Sequence, residues 1–151
     1  MFVIEKLEHI DQAPMDLLLL ADPSKDRVLA YLKNGECFVY NENGEILGCF
    51  VLREIDKVKT ELVNISVSGS KQGLGIGKKL LANAFEYARK QNYKEIEVGT
   101  GNSSIDQIAF YQKMGFRMYS IDIGFFDRNY NEEIYENGIL CRDMIRFIKV
   151  L

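Results

Sequence analysis

Apolar residues recur along this chain with two spacings, and each spacing predicts a different element. From Lys78 to Gln91, Leu80, Leu81, Ala84, Phe85 and Ala88 fall on one stripe while Asn83, Glu86, Arg89 and Lys90 face away, which predicts an amphipathic helix. From Lys94 to Gly99, Ile96 and Val98 alternate with Glu95 and Glu97, the period of a strand. Phe2 to Lys6 reads as a short first strand. Pro14 opens a helix carrying Met15 and Leu17 to Leu20, since a proline in the first turn costs no hydrogen bond. Ser24 is the expected N-cap of a second helix, with Val28, Leu29 and Leu32 on one face and Gly35 closing it. Glu36 to Tyr40 and Glu45 to Ile55 flank "NENG", a hairpin signal, and a third antiparallel strand follows a tight turn near Asp56, from Lys59 to Val67. "SSIDQIAFYQKMGF" begins with a capping box, Ser104 and Gln107, and runs as a helix to Gly115. Phe116 to Ile123 and Cys141 to Lys149 read as closing strands, joined by the aromatic, acidic connection "FFDRNYNEEIYENG".

This order predicts a mixed α/β fold with helices on a largely antiparallel sheet, whose only crossover follows the glycine-rich stretch before Lys78. The length of 151 residues suits a single domain, residues 1–151, with room for a core. Hydrophobic residues at 47% and charged residues at 27% make a globular composition, and a net charge of -3 argues against nucleic acid as partner. The start "MFVIEKLEHID" lacks the apolar run of a signal peptide, and "MDLLLLA" is too short to span a bilayer. The expectation is a cytoplasmic protein with no membrane partner. Cys37, Cys49 and Cys141 form no CxxC pair and His9 is the only histidine, so neither a disulfide framework nor a metal site is expected.

Candidate chemistry centres on "KQGLGIGKKL", Lys71 to Leu80. A strand running into a glycine-rich turn and then a helix is an anion site, because the unpaired amides of the first helical turn point outward along the macrodipole. A Walker A loop fails twice, with Gln72 and Lys79 where glycine and Ser or Thr belong. The dinucleotide fingerprint fails at Lys78, which holds the place of its third glycine.

"QGLGIGKKLL" resembles the acetyl-CoA signature Q/R-x-x-G-x-G/A of the GNAT superfamily of N-acetyltransferases, with Gln72, Gly75 and Gly77 in the defining positions. "AFYQKMGF", Ala109 to Phe116, resembles the family's second landmark, a helix tyrosine followed by a Gly-Phe pair. The resemblance covers nearly the whole chain and implies the acyl-CoA N-acyltransferase fold, with helices on both faces of its mixed sheet. It implies that the backbone of Gln72, Gly73, Leu74, Gly75, Ile76, Gly77 and Lys78 wraps the pyrophosphate of acetyl-CoA, the donor cosubstrate. It further implies that Ile65, Ser66 and Val67 offer main-chain groups to the pantetheine amides, which suit an exposed strand edge. The family's usual asparagine position is Ser104 here, two residues after Asn102. Asn102 either caps the helix and bonds the pantetheine arm or is an ordinary loop residue.

Acetyl transfer to an amine needs a neutral nucleophile, a polarised thioester and a proton for the departing thiolate. The resemblance implies direct attack in a ternary complex, with Tyr111 as general acid; a core aromatic beside Phe110 is the alternative. Glu61, eleven residues ahead of Gln72, matches the catalytic glutamate of the family's lysine-acetylating branch. Strand alternation groups Glu61 with Val63, Ile65 and Val67 on one face, where desolvation would raise its pKa; a solvated carboxylate, or a water relay in its place, is the alternative.

The expected activity is therefore N-acetyltransfer from acetyl-CoA to a small-molecule or peptide amine. A non-catalytic acyl-CoA-binding sensor is the rival reading. Phe125, Phe126, Asp127, Tyr130, Glu132, Glu133, Tyr135 and Glu136 could form a cation-binding wall for the acceptor or an exposed polar loop. A self-associating C-terminal strand, and with it a homodimer, is a further expectation.

Overall fold

The computed structural model describes residues 1–151. Its contacts divide the chain into two compact units, Met1–Lys94 with Leu151, and Glu95–Val150.

The first unit contains β1 (Phe2–Lys6), α1 (Met15–Ala21), α2 (Lys25–Asn34), β2 (Gly35–Glu42), β3 (Glu45–Glu54), β4 (Lys59–Val67) and α3 (Ile76–Lys90). Its strands pair antiparallel in the order β1-β2-β3-β4. Asn43 and Gly44 turn β2 into β3 with φ of 55° and 85°, the left-handed pair that fits a two-residue hairpin. Asp56 Oδ1 accepts from the amides of Val58 and Lys59 at 2.8 and 2.9 Å, closing the next turn. Cys37, Val39, Cys49 and Val51 point to one face and form a core with Leu17, Leu18, Val28, Tyr31 and Leu32 of α1 and α2. On the other face Phe38 stacks on Phe50 and meets Tyr87 of α3 edge-on.

Ser24 caps α2 as expected, accepting from the Arg27 amide at 3.3 Å. Gly35 does not close α2 with a left-handed turn; it is extended, with φ -122°. Glycine is needed there for space, since a Cβ would lie 2.7 Å from the Tyr31 carbonyl and 2.8 Å from that of Leu52. The stripe on α3 is buried as its spacing predicts, and the helix starts two residues earlier than Lys78, at Ile76.

The second unit contains β5 (Glu95–Gly101), α4 (Ile105–Lys113), β6 (Arg117–Asp122), α5 (Phe125–Asn129), β7 (Tyr135–Glu136), β8 (Ile139–Leu140) and β9 (Met144–Val150). β9 lies between β5 and β6, antiparallel to both, while β7 and β8 form a separate ribbon. The aromatic, acidic connection contains a short helix and a hairpin, elements too brief for periodicity to reveal. Glu97 departs from the alternation pattern: it is 5% exposed and accepts a hydrogen bond from the Tyr119 hydroxyl. The C-terminal strand is paired along both edges and offers none for self-association.

Candidate active site

The loop after β4 is shaped by backbone. Gly75 is the N-cap residue of α3 with φ +87°, and Gly73 has φ +81°. A left-handed conformation costs residues other than glycine about 1–2 kcal/mol. A Cβ on either glycine would meet no atom within 4 Å, so the space in front of the loop is open. The amides of Ile76, Gly77 and Lys78 precede the first intrahelical bond, which Lys79 donates to the Gly75 carbonyl at 3.2 Å. Such amides, with the macrodipole behind them, favour an anion, and Gln72 to Lys78 contain no acidic side chain to oppose one. This donor set fits a pyrophosphate. Gln72 Nε2 donates to the Val67 carbonyl at 3.2 Å and ties the loop to the strand. Lys79 Nζ stands 4.5 Å over the Phe2 ring.

Ile65, Ser66 and Val67 pair with Phe50, Cys49 and Gly48 across one edge of β4. Gly48 lets α3 seat against this end of the sheet, since a Cβ there would lie 3.0 Å from Leu80 and 3.1 Å from the Ser66 carbonyl.

Glu61 does not share a face with Ile65 and Val67. The register passes from Val51↔Asn64 to Leu52↔Leu62, leaving Val63 as an extra residue in β4. A bulge of this kind reverses the alternation beyond it. Glu61 therefore pairs with Arg53 on the face that carries Val51, Asn64 and Ser66, beneath α1 and α2. Its carboxylate accepts from Arg53 Nη2 at 2.7 Å. The sequence did not reveal Arg53 as the partner of Glu61, because only the register brings the two together. On the same face Asn64 donates to the Leu18 carbonyl at 3.0 Å and the Tyr31 hydroxyl at 2.8 Å.

In the second unit, Tyr111 is 4% exposed and packs edge-on to Phe116 and tilted against Phe147, each at 5.7 Å. Burial pushes its phenol above the ordinary tyrosine range, so it holds its proton. By its packing and burial Tyr111 is a core aromatic of the second unit.

Asn102 does not cap α4. Its Nδ2 donates to the Leu140 carbonyl at 3.1 Å, and its Oδ1 accepts from the amides of Arg142 at 2.8 Å and Asp143 at 3.0 Å. The side chain is a latch between the end of β5 and the segment joining β8 to β9. The expected capping box is absent as well. Ser104 makes no side-chain cap, and its hydroxyl donates to Glu136 Oε1 at 2.7 Å. The entry to α4 is a backbone turn, in which the Ser104 amide donates to the Gly101 carbonyl at 3.1 Å.

The acidic, aromatic connection is divided in its roles. Phe125 is buried, Phe126 stacks on Tyr130 at 5.3 Å, and Asp127 pairs with Arg142 at 3.4 Å. Glu132, Glu133, Tyr135 and Glu136 remain exposed. His9 is exposed, and all three cysteines are buried thiols. No helix is long and apolar enough to cross a membrane.

An amide-lined loop at the start of α3 and a buried, protonated tyrosine on α4 are the two landmarks that the motifs anticipated. Residues 4–116 match the Acetyltransferase (GNAT) family, and the chain belongs to it. It is 50% identical over 143 residues to the uncharacterized N-acetyltransferase YvbK of Bacillus subtilis, covering 95% of this chain and 92% of that one. A GNAT family acetyltransferase from Elizabethkingia anophelis with acetyl-CoA bound superposes with a TM-score of 0.97 at 45% identity, over 99% of this chain and 98% of that one. A Bacillus subtilis acetyltransferase in complex with CoA gives a TM-score of 0.93 at 48% identity, over 100% and 99% of the two chains. The chain is thus an acetyltransferase of the GNAT fold, and acetyl-CoA is its donor cosubstrate.

Proposed function

We propose that the chain transfers the acetyl group of acetyl-CoA to a primary amine by direct attack in a ternary complex. The amides of Gln72 to Lys78 hold the pyrophosphate, and the main chain of Ile65 to Val67 receives the pantetheine arm. The neutral amine nitrogen attacks the thioester carbonyl, the carbon–sulfur bond breaks with its electron pair going to sulfur, and Tyr111 supplies the proton that makes the thiol. Glu61 takes the proton that the amine loses, held in position by Arg53. Asn102 serves as the latch described above, not as a ligand of the donor. The exposed carboxylates of Glu132, Glu133 and Glu136 suit an acceptor that arrives as a cation.

The observation that carries the reading is the loop at Gly73 and Gly75, whose left-handed backbone and open approach suit the pyrophosphate of the donor; Tyr111, protonated at neutral pH as any tyrosine is, is the acid we assign to the leaving thiol. The test is thiol release from acetyl-CoA across a panel of primary amines, with Tyr111→Phe beside the parent. The ring and its packing survive the substitution, so stability should fall by about 1 kcal/mol at most, while turnover falls about a hundredfold. An acyl donor with a more acidic leaving thiol should narrow that deficit. Full turnover by Tyr111→Phe with a chemistry-limited acceptor would return Tyr111 to the core. No thiol release with any amine would leave an acyl-CoA-binding module.

A further inference from the structure

The arginine that holds Glu61 has donors to spare. Arg53 gives a single nitrogen, Nη2, to Glu61 Oε1 at 2.7 Å. A guanidinium carries a planar fork of N–H donors, and that fork matches a carboxylate two bonds at a time. Other arginines of the chain use more of theirs. Arg142 directs both Nε and Nη2 at Asp127, and Arg128 reaches the Ile123 carbonyl with Nη1 and Asp122 with Nη2. The Arg53 side chain is 40% exposed where that of Glu61 is 13% exposed. The carboxylate is the sheltered partner, and the guanidinium is the one that faces solvent.

The position of Arg53 is fixed from below. It lies directly opposite Glu61 in the ladder, and its carbonyl accepts from the Thr60 hydroxyl at 3.1 Å. Glu54, the next residue along β3, points to the opposite face and accepts from the Tyr93 hydroxyl at 2.7 Å. The spare donors of Arg53 therefore gain nothing from the neighbouring acid.

A positive charge beside the group that receives the amine opposes the approach of a bare cation. An acceptor that carries its own acid turns that repulsion into attraction. Glu61 and Arg53 are in direct contact, so the amine and the acid of such an acceptor must stand on the same or adjacent carbon atoms. An α-amino acid has this arrangement, and its two charges meet the pair head to tail.

We propose that Arg53 determines specificity, and that the acceptor is a zwitterion of the α-amino-acid type, its ammonium on Glu61 and its carboxylate on the unused donors of Arg53. The proposal names the acceptor class of the site and rests on the reading of Glu61 as the base.

The test measures kcat/KM for thiol release from acetyl-CoA with a panel of α-amino acids, each beside its α-carboxamide, which keeps the shape without the charge. The parent should acetylate members of the acid series. Arg53→Met keeps an unbranched stem without the fork. It should shift the preference between acid and amide toward the amide by about tenfold to a hundredfold, the range for a lost charge-assisted hydrogen bond. Arg53→Lys, which keeps the charge, should retain part of the parent preference. Comparing preferences cancels the difference in amine basicity between acid and amide, and any disturbance of Glu61 common to both. A cooperative urea transition shows that each variant is folded. Should Arg53→Met lower both rates equally, the proposal is overturned and Arg53 is only the prop of Glu61. A parent that acetylates amides or simple amines but none of the acids overturns it too, and leaves the catalytic reading in place. Release with no amine of any kind overturns both.

Discussion

Glu61 faces the helices α1 and α2 because Val63 is one residue too many for the ladder it occupies. The inserted residue rotates the start of β4 and delivers the carboxylate to Arg53 at 2.7 Å. Bulges of this sort re-aim side chains beside functional sites. Glu61→Gln keeps an acceptor oxygen for Arg53 and nearly the same shape, so it isolates the proton-accepting role. The rate at neutral pH should fall roughly ten- to a thousandfold, and the acidic limb of the pH–rate profile should disappear. A pH–rate profile like that of the parent would reduce Glu61 to the ion-pair partner of Arg53.

At the scale of elements, the decisive unit is the loop that ends in α3. Its conformation depends on glycine at Gly75, where φ is +87°, and its binding capacity depends on amides with no acceptor of their own. Coenzyme A at a hundredfold above its dissociation constant should stabilise the protein by about 2.7 kcal/mol. Gly75→Val forces a branched side chain into the left-handed region, at a cost on the order of 1–3 kcal/mol to the apo protein, and fills the open approach. Most of the stabilisation by coenzyme A should vanish, read by calorimetry and thermal unfolding together. Parent-like affinity in that variant would mean that the phosphates lie elsewhere. In the second unit the comparable device is the Asn102 latch, whose three side-chain hydrogen bonds hold the connection between β8 and β9. Asp143 extends it by accepting from the Gly124 amide at 2.9 Å, at the entry to α5.

Across the whole molecule, proton donors that folding desolvates or hydrogen-bonds make stability depend on alkaline pH. Cys37 is pushed by burial from 9.0 to about 12. Tyr93 and Tyr119 rise from 10.0 to about 12, first by burial and then through hydrogen bonds to Glu54 and Glu97. These groups are neutral when protonated, so the folded chain keeps protons that the unfolded chain releases. Their contribution is complete below the unfolded values and is lost as pH rises from about 9 toward 12. The urea midpoint should therefore be lower at about pH 10.5 than at about pH 8, with an unchanged slope. Equal midpoints would show that the unfolded chain holds these protons as tightly.

Elements governed by their own residues were legible in the sequence. The stripe on α3, the Asn43-Gly44 turn and the Ser24 cap are decided within a few residues, by helical period, left-handed backbone and a local hydrogen bond. The glycine loop before α3 was legible for the same reason, since glycine spacing and helix amides are local properties. Tertiary structure alone decided the rest. The pairing of Glu61 with Arg53 depends on a register that no local pattern encodes. Ser104 turned from cap to partner of Glu136, and Asn102 from cap to latch, because side chains distant in sequence compete for the same polar groups. Gly35 is glycine for want of room beside Tyr31 and Leu52, not for its φ. The sequence by itself determined which segments become helix or strand and where an anion is welcome. Packing determined which face each side chain reaches and which partner it finds, because those depend on strands brought together from far along the chain.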